Sequence, residues 1–137
     1  MFKKIIILSL LLSSTVIASN SFSVISREGI NLEIARVEMQ LNLSEQQAKA
    51  MSPILKNSIK QKIDVLTDYG IAFTRDAKQP ELTWREKSDI YNQITLINRE
   101  VTMQASGVLD EKQMAKFVEI QQQKRRQLFD YFKSLVS

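Results

Sequence analysis

The sequence predicts an all-α fold of long amphipathic helices, on three observations. Apolar residues recur at spacings of three and four through most of the chain, the period of a helix with one buried face. One N-terminal capping pattern is written three times, each time directly ahead of such a run. The 137 residues include only three Gly and two Pro, too few for the frequent tight turns of an all-β chain. This length allows one domain. The chain has no His and no Cys, which removes His acid–base catalysis, Cys nucleophiles, Cys/His zinc sites and disulfides.

The first element reads as a leader. Lys3 and Lys4 precede an apolar run from Ile5 to Ile17, and Val16 and Ala18 occupy the positions a signal peptidase reads. A membrane span needs ~20 apolar residues, and Ser13, Ser14 and Thr15 dilute this shorter run. Residues 1–18 are expected to be a cleaved signal peptide and 19–137 the mature domain, without stable membrane insertion. The formal net charge is +4; without Lys3 and Lys4 the 19 basic residues fall to 17 against 15 acidic, net +2. Export and this small surplus set nucleic acid aside as a partner and favour anionic clients or an envelope surface.

After the polar stretch Ser19 to Ser26, Ile30, Ile34, Val37 and Leu41 predict a helix over about 28–41, frayed at Gly29. Leu43-Ser44-Glu45-Gln46-Gln47 then writes a capping box. Ser44 is the N-cap, Gln47 the reciprocal partner, and Leu43 packs from the position before the cap. The grammar returns at Leu82-Thr83-Trp84-Arg85-Glu86 and at Leu109-Asp110-Glu111-Lys112-Gln113. The first boxed run is expected to extend from Glu45 to about Arg75, with Ala48, Met51, Leu55, Ile59, Leu66, Tyr69 and Phe73 on one stripe. Pro53 predicts a kink near 49–53, Gly70 weakens the last turns, and residues 76–80 read as a loop. The second run, Trp84 to Ala105, carries Ile90, Ile94, Ile97 and Val101, and Gly107 suits a left-handed C-cap. The third, Glu111 to about Leu135, opens with Met114, Phe117 and Val118 and closes with Leu128, Phe129, Phe132 and Leu135. The polar stretch Gln121 to Gln127 between them predicts two ends that pack on different things. Helices of ~25–30 residues are about 40 Å long. So thin a chain buries less surface than a compact globule, which favours a homodimer.

The two outer boxes resemble the Leu-Thr-x-x-Gln repeats of the Spy/CpxP family of small helical periplasmic proteins. Ser44 and Asp110 replace the family's Thr, and both are good N-caps, so the physical role survives. The resemblance covers about residues 40–130. It implies a cradle-like homodimer of antiparallel helices in the periplasm, and one of three activities. These are an ATP-independent chaperone for unfolded or aggregation-prone envelope proteins, an adaptor that restrains an envelope-stress sensor kinase, or a metal-responsive sensor. Metal-sensing relatives use His and Cys ligands, which this chain lacks. Asp64 and Asp68 alone read as a solvated face. The expectation is the chaperone, with the kinase adaptor as alternative and no metal, cofactor or catalytic residue. No Ser–Lys spacing singles out a dyad for an enzyme reading.

The box residues Leu43, Ser44, Gln47, Leu109, Asp110 and Gln113 are structural on this reading. The client-binding candidates lie on the first boxed helix. Lys49, Lys56 and Lys60 fall within about 60° of one another, beside Met51, Leu55 and Ile59. Lysines would steer an unfolded chain and exposed apolar side chains would hold it. The competing reading is a core stripe edged by snorkelling lysines. Lys124-Arg125-Arg126 reads as a solvated face and Trp84 as a packing residue.

Overall fold

The computed structural model describes residues 27–71 and 80–134, with side chains over 29–71 and 80–130. The expected leader, the polar stretch 19–26, Phe73, residues 76–79 of the loop and Leu135 lie outside the described residues. The described residues form four helices and no strand: α1 (Arg27–Leu41), α2 (Glu45–Asp68), α3 (Trp84–Ala105) and α4 (Glu111–Ser134).

All three boxes close. Ser44 Oγ accepts from Gln47 N at 3.1 Å while Gln47 Oε1 accepts from Ser44 N at 3.0 Å. Thr83 and Glu86 repeat the exchange at 3.1 and 3.0 Å, and Asp110 and Gln113 at 2.8 and 2.9 Å. Each exchange satisfies amides that a helix start leaves unpaired.

Helices α1 and α3 end where the spacing predicts, at Leu41 and Ala105, whereas α2 does not. Helix α1 stops in a Schellman motif on Asn42 (φ 53), whose N–H reaches Met39 O at 3.1 Å while Leu43 N–H reaches Glu38 O at 3.1 Å. Helix α2 ends at Asp68 rather than near Arg75, because Gly70 (φ +82) builds the same motif. Gly70 N–H reaches Thr67 O at 2.9 Å and Ile71 N–H reaches Leu66 O at 3.0 Å, with Ile71 and Leu66 both buried. Gly70 therefore stops the helix, with Tyr69 at its cap and still packed against the core. Gly107, expected to be left-handed, is not. The N–H groups of Val108 and Leu109 both return to Ala105 O at 2.9 Å, so the chain stays right-handed into the next box. Pro53 sits exposed within an unbroken α2.

Helix α2 packs on α3, α3 on α4, and α1 lies against α2 and α4. One core runs between them. It takes Ile30, Ile34, Val37 and Leu41 from α1, and Met51, Leu55, Ile59, Val65 and Leu66 from α2. Helix α3 adds Ile90, Ile94, Val101 and Ala105, and α4 adds Phe117 and Leu128. Full burial of such a side chain contributes about 1.5–3 kcal/mol. The polar stretch of α4 is half drawn into this packing: Gln121 Oε1 accepts from Thr102 Oγ1 at 2.8 Å, and its Nε2 donates to Asn98 O at 3.3 Å. Among the described residues no helix is long and apolar enough to cross a membrane.

Candidate functional site

The two outer boxes meet. Gln47 Nε2 donates to Gln113 Oε1 at 2.8 Å and Gln113 Nε2 donates back to Gln47 Oε1 at 3.0 Å. The remaining hydrogens close the ends of the preceding helices. Gln47 Nε2 also donates to Val108 O at 3.1 Å, and Gln113 Nε2 to Leu41 O at 3.3 Å and Asn42 O at 3.5 Å. One amide pair thus joins the starts of α2 and α4 to the chain leaving α1 and α3. Leu109 is buried beside this junction and Leu43 half-buried, packed against the core. The middle box takes no part, and its Glu86 serves only Thr83. The Thr83 backbone N–H, and then the Thr83 side chain, hold the Glu86 carboxyl below its usual range.

The client-binding stripe is corrected by the packing. Met51 is fully buried, and Leu55 and Ile59 are buried with it, because α1 and α3 cover that face of α2. Lys49 and Lys60 are exposed and Lys56 half-buried, so the basic edge exists without an apolar face beside it. The apolar side chains in solvent are elsewhere. Leu32 and Met39 (79% exposed) stand seven residues apart on α1, and Leu96 and Met103 (70%) repeat that spacing on α3. Seven residues return a helix to nearly the same face.

A groove lies between the start of α3 and the far half of α4. Trp84 (66% exposed), Tyr91 and Phe129 supply its apolar walls, with Phe129 edge-on to Tyr91 at 6.3 Å and 68°. Lys87, Arg125 and Arg126 supply cations and Ser88 a hydroxyl around a volume of about 320 Å³. Trp84 is therefore a groove wall rather than a packing residue, and two members of the Lys124-Arg125-Arg126 run face a cleft. Nothing local in the sequence brings residue 84 beside residue 129.

A second, smaller cavity of about 60 Å³ is lined by Glu33 of α1, Lys62 of α2 and Lys124 of α4 among apolar neighbours. Glu33 is 2% exposed, with Arg36 Nη1 3.5 Å from its Oε2. Burial, then repulsion by Lys124, brings the Lys62 ammonium down to about 8. Burial also brings Lys124 down to about 8, against the opposing pull of Glu33. Lys62 continues the four-three-four spacing of Leu55, Ile59 and Leu66, so helical period places it on the same face; a pattern read in apolar residues alone passes over it. Among the described residues no three potential metal-ligating side chains cluster.

No family model, no curated protein and no solved structure matches this chain.

Proposed function

We propose that this chain is an ATP-independent periplasmic chaperone of the Spy/CpxP kind, acting as a homodimer on unfolded or aggregation-prone proteins. The observation that carries the reading is the pair of outward Leu–Met faces, Leu32–Met39 on α1 and Leu96–Met103 on α3. A folded protein that leaves long, flexible apolar side chains in water at helical spacing has a surface suited to partners of varied shape. Exposed Lys49 and Lys60 add the steering charge that such capture uses. The clasp is in keeping with this reading, since the glutamines of the two boxes that resemble Leu-Thr-x-x-Gln repeats serve one junction.

The test is aggregation of a chemically unfolded client without nucleotide, at several molar ratios, alongside sedimentation of the protein alone. Suppression is expected from the wild type, and Met39→Ser with Met103→Ser is expected to weaken it while circular dichroism stays unchanged. Should the double variant protect clients fully but sediment as a monomer where the wild type is a dimer, those faces join protomers and clients bind elsewhere. No protection by the wild type would overturn the chaperone reading and favour the sensor-kinase adaptor.

A further inference from the structure

The groove between α3 and α4 has the composition of a small-molecule site rather than of a gap in packing. Its volume, about 320 Å³, falls within the ~300–1,000 Å³ of typical ligand pockets. Three aromatic side chains form walls, and aromatic walls with a few placed polar groups are what such sites use to hold an apolar ligand body. The polar lining is one-sided in charge. Arg125 and Arg126 bring two guanidinium groups to the groove, Lys87 lines it but is only 6% exposed, and no carboxylate lines it among the described residues. An anionic group entering here gains guanidinium partners without an acid to repel it.

We infer that this groove binds a single-chain anionic amphiphile, with the acyl chain between Trp84, Tyr91 and Phe129 and the carboxylate at Arg125 and Arg126. Size argues against an extended polypeptide. From Trp84 to Tyr91 the groove follows α3 for about 10 Å, the length of a medium acyl chain but of only about three extended residues. Arginine rather than lysine at the open rim suits a planar carboxylate, which it can engage through two N–H groups.

The protein carries its own reporter, because Trp84 is its single tryptophan. Titration of the intact protein with decanoate, below the micelle concentration, is expected to shift Trp84 emission to the blue and to saturate. Decanol and decyltrimethylammonium are expected to bind far more weakly. Arg125→Gln with Arg126→Gln is expected to weaken decanoate binding about tenfold, as removal of two rim charges should, and added salt should shrink that difference. Both arginines are at least partly exposed, so the double variant should fold. Phe129→Ala should weaken decanoate and decanol alike. Equal binding of decanoate and decanol, a response only in micelles, or unchanged affinity in the double-Gln variant would each overturn the assignment. So would binding of a short acidic aromatic peptide in place of decanoate. The titration contains no client protein, so loss of client protection and loss of amphiphile binding are separate outcomes.

Discussion

A glutamine at the third position of a helix can close a capping box and still have amide hydrogens to give; a glutamate cannot. Gln47 and Gln113 use that difference, each accepting from its own cap and donating to the other box and to a carbonyl at a helix end. Gln47→Glu should keep the Ser44 cap but lose the donors, setting a carboxylate against Val108 O. We expect a loss of about 1–3 kcal/mol in urea unfolding, the cost of breaking a partly buried hydrogen-bond network. Glu86→Gln, which alters a box serving only itself, should stay within about 0.5 kcal/mol. The glycines divide in the same way. Gly70→Ala places a Cβ on a left-handed residue (φ +82) and should cost about 1–2 kcal/mol. At Gly107 an added Cβ meets only Gln104 O at 3.8 Å, so Gly107→Ala should be neutral or gain up to about 1 kcal/mol. Thermal melts of the two alanine variants, side by side, check the contrast.

Among elements, α2 carries the largest revision and the sharpest test. Leu55→Ser or Ile59→Ser should unfold the protein readily, losing about 2–5 kcal/mol by chemical denaturation, as buried large-to-small changes do. A well-folded variant with impaired client release would restore the stripe as a binding surface. Helix starts were legible because a capping box is local: cap and partner lie three residues apart, and all three closed as written. The ends of α1 and α3 were legible too, at Leu41 and Ala105; the end of α2 and the handedness of the two glycines were not, because the conformation of a glycine depends on where the next residues can pack. Ile71 can drop onto Leu66 and lock Gly70 left-handed, whereas only residues 106–110 separate α3 from α4, and both amides after Gly107 are taken by Ala105 O. The stripe itself was legible as a face of α2. That α1 and α3 cover it was not, since periodicity says which residues share a face and not what lies against it. The groove went unread for the same reason: residues 106–110 join α3 to α4, but which side chains meet across the pair is set by tertiary packing.

For the whole molecule, the Glu33–Lys62–Lys124 cluster sets how stability varies with pH. Both lysines fall from the free value near 10.4 to about 8 in the folded protein. Between those values the unfolded chain binds more protons than the folded one, so stability should rise as pH climbs from about 8 to about 10. Below pH 8 both states are charged and the full cost of burying the ammonium groups remains. Thermal melts should therefore show a higher midpoint at pH 9.5 than at pH 7. Lys62→Met should flatten that slope and raise the midpoint at pH 7, because it removes a desolvated cation that faces another. A wild-type midpoint that falls steadily from pH 7 to 9.5 would contradict the cluster's placement.

The amide clasp also governs time. Gln47 and Gln113 are 66 residues apart, so their exchange forms only after α2, α3 and the turn into α4 have brought the boxes together. Contacts that close so long a loop come late on the way to the folded state, while local caps form early. Breaking the clasp should then leave the folding arm of a chevron nearly unchanged and quicken escape from the native state. In that sense the paired glutamines are a latch: they do little to speed assembly, but they set how long the assembled bundle persists before it opens.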